Sequence, residues 1–521
     1  MAFQSPLLLL SLGAVLLLLA VRRLKRRSSL PLPPGPPALP LIGNVLDVPT
    51  DGPMGFRDLC AKYGDIVHLD VAGQPMIVLG SQEAASDLLE KRSSNYSDRA
   101  PSPMVDIAGF GWAFTVRSYG SFWRRGRRAF HQFFNQAAVQ NYAADQRLEA
   151  HRLVSRLIDK PEAFVHHIRH MFGSSIMRVV YGIEVDEEPV DYLKIAEDTM
   201  TIFSEAFQPG KFLIETLPFL RHLPSWVPGA TVKRQGVAWR PVVWRLVEEP
   251  WKHAMAAMKA GTARPSMASS LMTNVPQSFG ESDTVSEEED IYRGTTATAY
   301  AGGADTTLST VQTFFLAMAA HPHVLTKAQA ELDAVVGPHR LPDFSDMPSL
   351  PYLRAIVKEL LRWRVVVPLG VPHRSLEDDE YRGYVIPKGS LLVANIWAIA
   401  RDPDVYDNPD AFIPERFLTA DGELDPDVRD PATFSFGYGR RICPGRHYAA
   451  SVLFMVAATV LHTMSITAPL GKDGKPIHME GKMTYGLLSY PERFECVIKP
   501  RSAEAVALIQ ASCGELPGHD E

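Results

Sequence analysis

The segment that decides the fold of this 521-residue chain is Phe436-Gly-Tyr-Gly-Arg-Arg-Ile-Cys-Pro-Gly445. Its three glycines let the backbone come close to a large planar ligand. Backbone N–H groups of the turn, together with the start of the helix that follows, stabilise a negatively charged sulfur at Cys443. Phe436 would shield that sulfur from water and oxidation. The segment therefore predicts a thiolate that serves as a metal ligand.

The rest of the chain predicts a mainly α fold with small β-sheets. Helical periodicity dominates residues 120–365, and a further apolar helix is predicted over Tyr448–Leu461. Short strands are predicted at His68–Val71, Met76–Leu79, Val385–Ile386 and Leu391–Ala394. No long linker, repeat or low-complexity tract follows Asn44, which indicates one large catalytic domain over residues 44–521.

The composition excludes several classes of protein. Hydrophobic residues make up 46% of the chain and charged residues 21%, which is typical of a globular protein with a large core and not of a disordered one. The four cysteines are too few and too widely spaced for a disulfide scaffold or a zinc cluster. The net charge is −6, and the only basic excess lies near the N-terminus, which argues against nucleic-acid binding.

The N-terminal segment predicts a membrane anchor. Leu7–Val21 is apolar except for a serine and a glycine, and five basic residues follow within Arg22–Arg27. About twenty apolar residues span a bilayer as a helix, and the basic cluster then stays in the cytosol. We predict an uncleaved transmembrane signal anchor over residues 1–21 and a basic, proline-rich hinge over residues 22–43, with a cleaved signal peptide as the alternative. A glycan on the sequon at Asn95 would invert this topology.

The cysteine segment resembles the signature Phe-x-x-Gly-x-Arg-x-Cys-x-Gly of the cytochrome P450 family, the haem-thiolate monooxygenases. The matching positions are Phe436, Gly439, Arg441, Cys443 and Gly445. The resemblance extends over the whole chain, with the anchor and the proline-rich hinge included. It implies the cytochrome P450 fold and a bound heme b whose iron is axially ligated by Cys443. A thiolate ligand pushes electron density onto the iron and favours O–O cleavage.

Two Glu-x-x-Arg spacings occur in the chain, Glu359-Leu-Leu-Arg362 and Glu149-Ala-His-Arg152. Either is weak by itself, because such spacings arise by chance in a chain of this length. The later pair is selected by Pro414-Glu-Arg-Phe417, since Arg416 could add a second guanidinium to the Glu359 carboxylate. The resemblance implies that this triad is structural and locks the segment that leads to the cysteine.

Four positions are predicted to hold the haem propionates. Trp123 and Arg127 lie one turn apart on a predicted helix and share one face, from which both could donate to a carboxylate. Apart from the resemblance, a solvated basic helix is the simpler interpretation. The resemblance implies that Trp123, Arg127 and Arg441 contact propionates. It assigns the fourth contact to His373, with Arg374 as the open alternative.

Residues Ile291–Ala320 predict one long helix that contains Ala301-Gly-Gly-Ala-Asp-Thr-Thr307. Each of the two adjacent glycines costs about 1 kcal/mol relative to alanine inside a helix, so a compensating role is expected. One such role is to open the helix beside a flat macrocycle and leave room for O2 and water, and the other is close helix packing. The stretch resembles the family's oxygen-activation motif, which implies that Asp305 and Thr306 are catalytic and deliver protons.

The resemblance implies a haem-dependent monooxygenase that inserts one oxygen atom from O2 into a lipophilic small molecule. At Trp123–Arg128 and Val371–His373 the chain resembles fungal secondary-metabolite hydroxylases of the O-methylsterigmatocystin oxidoreductase type. Phe110, Trp112 and Phe114 lie where the family contacts its substrates, and ordinary core packing is the alternative interpretation of these residues. Two alternatives stay open. One is a haem-thiolate isomerase or dehydratase that does not use O2, and the other is a non-catalytic haem- or lipid-binding membrane protein.

No flavin or nicotinamide domain is recognisable in the sequence, so we expect electrons to come from a partner. The resemblance implies an NADPH–haemoprotein reductase, with cytochrome b5 as a further donor. It also implies a single-pass protein of the endoplasmic reticulum membrane with a cytosolic catalytic domain. We expect the reductase to dock through basic residues on the cysteine side. These residues are Arg124, Arg125, Arg128, Arg440 and Arg446.

Overall fold

The computed structural model describes residues 30–207, 211–216, 218–222, 224, 231–273, 283–484 and 486–514. These residues cluster into two compact units, one made of residues 30–100 and Pro372–Asn395, the other of Pro101–Val371 and the chain from Ile396 onward. The predicted anchor over residues 1–21 lies outside the described residues. Within the part of the chain that the structure describes, no helix combines the length and the apolar character that a bilayer span requires.

The first unit is built around a small β-sheet. Its helix and strands are α1 (Pro53–Tyr63), β1 (Ile66–Val71), β2 (Gln74–Leu79), β3 (His373–Arg374), β4 (Asp379–Tyr381), β5 (Tyr384–Ile386) and β6 (Leu391–Ala394). The order of the sheet is β1-β2-β6-β3, and β4 pairs separately with β5. β1 and β2 form the predicted antiparallel hairpin, whose turn places Ala72 and Gly73 at positive φ. β6 pairs with β2 in parallel, so the sheet joins two distant parts of the sequence.

The second unit is mainly helical, as predicted, with one two-stranded sheet. Its longer helices are α2 (Ser121–Phe134), α3 (Ala143–Asp159), α4 (Phe164–Tyr181), α5 (Tyr192–Ala206), α6 (Thr231–Ala260), α7 (Met267–Thr273), α8 (Asp283–Ala320), α9 (Pro322–Val335), α10 (Pro351–Trp363), α11 (Arg446–Thr463) and α12 (Ala503–Gly514). Its strands are β7 (Met464–Thr467) and β8 (Val497–Pro500), which pair antiparallel. α8 is the central helix and packs against α2, α4, α5 and α11.

Short helical segments connect these elements in both units. They are Val45–Asp47, Gln82–Ala85, Ser86–Lys91, Ser93–Tyr96, Pro103–Ala108, Phe110–Trp112, Gln136–Val139, Gln140–Tyr142, Pro161–Ala163, Val185–Glu187, Leu213–Thr216, Pro218–His222, Phe344–Ser349, Ile396–Ile399, Pro414–Phe417, Ala432–Ser435 and Gly439–Arg441.

The long helix predicted to start at Ile291 is confirmed as α8 and begins earlier, at Asp283. The extension is rich in acidic residues, Glu287, Glu288 and Glu289 among them. Negative charge near the start of a helix interacts favourably with the helix dipole, which compensates for the lack of an apolar periodicity there. The apolar helix predicted over Tyr448–Leu461 is confirmed as α11 and is buried from Val452 to its end.

The Glu359–Arg362–Arg416 triad forms as predicted. Glu359 and Arg362 are fully buried, and two nitrogens of Arg362 each lie 2.7 Å from a Glu359 carboxylate oxygen. Nε of Arg416 lies 3.2 Å from Oε1 of the same carboxylate. Arg362 also donates to the backbone carbonyls of Ala400 and Pro409. The triad therefore ties α10 to the irregular segment that leads to the cysteine, which is a structural role.

Candidate active site

Cys443 lies in a tight loop between the 3-10 turn at Gly439–Arg441 and the first residue of α11. Its backbone N–H donates to the carbonyl of Phe436 at 2.8 Å and closes the loop. Gly437 and Gly439 have φ angles of 76° and 54°, a region that side chains rarely adopt, so glycine is required at both. Gly445 has an ordinary φ of −92°, and a Cβ added there would meet no protein atom within 4 Å.

The electrostatic environment of Cys443 contains opposing contributions. Burial raises the pKa of the thiol, whereas the N–H of Gly445 and the guanidinium groups of Arg127 and Arg446 lower it. Nη1 of Arg446 also lies 3.4 Å from the Cys443 carbonyl oxygen. Donated hydrogen bonds and nearby cations are the features that stabilise a thiolate, and a bound metal ion would complete them.

Trp123 and Arg441, which are far apart in the sequence, are in contact. The guanidinium carbon of Arg441 lies 4.5 Å from the centroid of the Trp123 ring, within the range of a cation–π interaction. Nη2 of Arg441 donates to the carbonyl of Arg117 at 2.8 Å, which fixes the side chain. Trp123 and Arg441 are both buried. The structure therefore places two of the predicted propionate contacts beside each other.

Arg127 lies one turn after Trp123 on α2 and is partly buried. Burial lowers the pKa of its guanidinium to about 10, which Cys443 partly opposes and Arg446 reinforces. Among the described residues, no carboxylate forms an ion pair with Arg127. A buried cation of this kind suits an anionic group of a bound ligand.

The two adjacent glycines of α8 have different surroundings. A Cβ at Gly303 would lie 2.7 Å from Cγ1 of Ile176, so this glycine allows α4 to pack closely against α8. A Cβ at Gly302 would meet no protein atom within 4 Å. The hydroxyl of Thr306 donates to the carbonyl of Gly302 at 2.8 Å. Close helix packing is therefore present at Gly303, whereas a role of Gly302 beside a flat macrocycle stays a prediction.

Asp305 is buried and accepts a hydrogen bond at Oδ2 from the hydroxyl of Tyr490. Burial raises the pKa of this carboxyl, and the bond from Tyr490 and the nearby charge of Arg169 partly lower it again. Sequence reasoning missed Tyr490, because no local pattern connects it with a residue 185 positions earlier.

His373 and Arg374 belong to the first unit, where they form β3. Nδ1 of His373 donates to the carbonyl of Tyr96 at 2.6 Å. Nη1 of Arg374 lies 3.8 Å from Oδ2 of Asp98. The predicted contact of His373 or Arg374 with a propionate stays a prediction.

Comparison with known proteins agrees with this geometry. The family described as Cytochrome P450 matches residues 33–496. The chain belongs to the cytochrome P450 family. It is 43% identical to cytochrome P450 monooxygenase COX1 of Coprinopsis cinerea over 94% of this chain and 95% of that protein. It is 39% identical to tryptamine 4-monooxygenase of Psilocybe cyanescens, over 94% of this chain and 96% of that protein. The protein is therefore a haem-dependent monooxygenase and an oxidoreductase.

Cytochromes P450 bind haem through a cysteine thiolate on the iron, and the residues described above fit such a group. Among the described residues, no three His, Cys, Asp or Glu side chains cluster as a metal site. Gly302 and Gly445 both lack protein neighbours at their Cβ positions, as the close approach of a flat macrocycle requires. Arg127 is a cation without a carboxylate partner in the described chain, which suits a propionate.

Proposed function

We propose that this cytochrome P450 inserts one oxygen atom from O2 into a lipophilic small molecule of fungal secondary metabolism, with electrons from an NADPH–haemoprotein reductase. The observation that carries the proposal is that the Cys443 loop, the Trp123–Arg441 pair and Arg127 lie in the same unit, with Arg127 close enough to act on the thiol. Cys443 would bind the iron, and the other three residues would bind propionates. When bound, the haem supplies the activation of oxygen.

The remaining site residues would support this arrangement. Phe436, Gly439 and Gly445 would shape the loop around the sulfur, and His373 would be a fourth propionate contact. Asp305 and Thr306 would deliver protons from the protein to the oxygen-binding side. The hydroxyl of Thr306 donates a hydrogen bond to the Gly302 carbonyl, and its oxygen lone pairs can still accept hydrogen bonds.

The substrate proposal rests on aromatic residues and on a relative. Phe110 and Phe114 are almost completely buried, and the Phe110 ring lies 5.1 Å from the ring of Phe203 on α5. We propose that these aromatic side chains contact an apolar substrate. One relative carries the name tryptamine 4-monooxygenase. We therefore propose a lipophilic substrate of the indole, terpenoid or polyketide class.

The reductase would dock on a smaller set of arginines than the sequence predicted. Arg124, Arg128 and Arg440 are exposed, and the guanidinium groups of Arg124 and Arg440 lie 5.7 and 5.5 Å from the centroid of the Tyr119 ring. Arg125 instead forms ion pairs with Glu287 and Glu288 of α8. Arg446 is only partly exposed, and its Nη1 lies 3.4 Å from the Cys443 carbonyl oxygen. We therefore leave Arg125 and Arg446 out of the proposed docking surface.

Charge reversal tests this docking surface. Replacing Arg124, Arg128 and Arg440 by glutamate should slow the first electron transfer from the reductase by about tenfold at low salt, because electrostatic steering is lost. A matched control reverses three lysines of α6, Lys233, Lys252 and Lys259, which gives the same net charge. Equal stopped-flow reduction rates for the two triple variants would contradict the proposal.

We also propose a single-pass location in the endoplasmic reticulum membrane, with the body in the cytosol. The end of the proline-rich hinge and the residues that follow it expose large apolar side chains, with Leu41 58% and Leu46 76% exposed, which suits contact with a lipid surface. The Asn95 side chain is engaged, since its oxygen accepts from Leu376 and Glu377 and its amide donates to a backbone carbonyl. We expect the chain to resist carbonate extraction and to carry no glycan at Asn95. A glycosylated Asn95 would reverse the topology.

The function is tested by spectroscopy and by coupling. The reduced protein with carbon monoxide should show the red-shifted Soret band of a thiolate complex, and Cys443→Ser should abolish it. In microsomes with reductase, Thr306→Ala should lower product formed per NADPH by about tenfold or more, because proton delivery is impaired. The matched control is Thr313→Ala, since Thr313 is a buried threonine of α8 that also donates to the carbonyl four residues earlier. Equal coupling in both variants would exclude a role for Thr306.

A further inference from the structure

A cleft of 1160 Å³ with a mixed polar and apolar lining reaches Asp305 from the side of α8. It lies between α4, α5, α8 and residues 484 and 486–496, all within the second unit. Charged and polar groups line it at Arg169, Glu197, Asp305, Gln312 and Tyr490. The cleft therefore gives water access to the immediate neighbourhood of a buried carboxyl.

Tyr490 lines this cleft and is positioned by hydrogen bonds of its backbone. Its backbone N–H donates to Oγ1 of Thr484 at 3.0 Å, and its carbonyl accepts from the Thr484 N–H at 2.8 Å. Its hydroxyl donates to Oδ2 of Asp305. Burial and the adjacent carboxylate raise the pKa of the Tyr490 phenol above its ordinary value. Tyr490 therefore stays protonated and remains a hydrogen-bond donor.

An ion pair lines the same cleft. Nη1 of Arg169 on α4 lies 2.6 Å from Oε1 of Glu197 on α5. The positive charge of Arg169 favours the Asp305 carboxylate, whereas Glu197 and burial favour its protonated form. Tyr490, Arg169 and Glu197 are thus the groups, one from each neighbouring element, that balance the two protonation states of Asp305.

We infer that Tyr490 is a positioning residue for proton delivery. Its hydroxyl holds the Asp305 carboxyl towards the cleft, so that Asp305 takes up protons from the cleft. The inference rests on the proposed function of Asp305. A hydronium ion or buffer acid in the cleft gives a proton to the Asp305 carboxylate and leaves as water or buffer base. The resulting carboxylic acid passes that proton towards the Thr306 side and returns to the carboxylate. Tyr490 donates its hydrogen bond throughout and exchanges no proton.

The test compares Tyr490→Phe with the wild-type protein. The carboxylic C=O band of Asp305 is followed by infrared difference spectroscopy against pH in the ferric protein, and Asp305→Asn identifies the band. Loss of the hydroxyl removes a hydrogen bond that favours the carboxylate, so the midpoint of the band should move to higher pH in the variant. Tyr381→Phe is the matched control, because Tyr381 likewise donates to an aspartate, Asp87, at 2.7 Å.

Turnover gives the second measurement. Tyr490→Phe should lower product formed per NADPH by about tenfold and shift the pH profile of coupling in the same direction as the infrared midpoint. An unchanged midpoint, or coupling equal to that of Tyr381→Phe, would overturn the inference. The proposed function fails in a different way, through the loss of the thiolate–CO band in the wild-type protein or through full coupling in Asp305→Asn.

Discussion

The two Glu-x-x-Arg sites of the molecule have the same spacing and similar partners, yet they differ in what they hold together. Glu149 and Glu359 are both fully buried, each pairs with the arginine three residues later, and each receives a second guanidinium. The second guanidinium is Arg178 at Glu149, at 3.0 Å, and Arg416 at Glu359. Spacing alone therefore produces a buried ion pair at either place.

The difference lies in the completeness of the two networks. At Glu359 both carboxylate oxygens accept hydrogen bonds, one of them also from the backbone N–H of Ile413. At Glu149, Oε2 has no hydrogen-bond partner among the described residues, and the Arg152 side chain is 26% exposed. A complete network rigidifies the segments it joins, whereas an incomplete one adds little. Only the complete network joins a helix to the segment that leads to Cys443.

The largest expected effect comes from Glu359→Gln. This change leaves the fully buried Arg362 without its counter-charge, so the free energy of unfolding should fall by about 3–5 kcal/mol. Haem incorporation should fall with it, because the segment before Cys443 loses its attachment to α10. Urea unfolding and the yield of the thiolate–CO band measure both effects. A variant with wild-type stability and haem content would show that the triad is dispensable.

Glu149→Gln is the matched variant at the other site, and a smaller effect is expected. Arg178 keeps its bidentate ion pair with Glu184, at 2.5 and 2.8 Å, so the loss should be about 1–2 kcal/mol in the same urea experiment. Haem content should stay at the wild-type level. If Glu149→Gln reduced haem incorporation as strongly as Glu359→Gln, the contrast between the sites would disappear.

The smallest expected effect concerns the pH dependence of stability and His151, which lies inside the Glu149–Arg152 motif. His151 is buried, and desolvation, with a smaller contribution from Arg147, lowers its pKa from 6.5 to about 4. Between pH 6.5 and 4, His151 binds more protons in the unfolded chain than in the folded protein. The contribution of neutral His151 to the free energy of unfolding is therefore complete above pH 6.5 and is lost as the pH falls. The corresponding position in the other motif, Leu361, cannot titrate.

His151→Leu should therefore reduce the acid sensitivity of the protein. The variant should match the wild type near neutral pH and gain about 1 kcal/mol relative to it between pH 6.5 and 5.5. Thermal or urea unfolding across this range measures the difference. Parallel stability curves for the two proteins would contradict the assignment of a neutral, buried His151.

Much of the site could be predicted from the sequence because its determinants are local. The loop at Phe436–Gly445 depends on glycines with positive φ, and the start of α11 lies next to Cys443 along the chain. The different surroundings of Gly302 and Gly303 could not be predicted, because the close contact at Gly303 is with Ile176 of another helix. The same applies to Arg125, which only the packing of α2 against α8 brings to Glu287 and Glu288.

The sequence by itself determined the family, the mainly helical fold, the cysteine loop and the acid–alcohol pair at Asp305 and Thr306, since each rests on residues close together along the chain. The tertiary structure alone decided which Glu-x-x-Arg site joins α10 to the cysteine segment and which partner Asp305 has. Tyr490 and Arg416 reach their carboxylates from distant segments. The direction of a buried carboxyl depends on the donors that packing places around it, and local patterns carry no information about those donors.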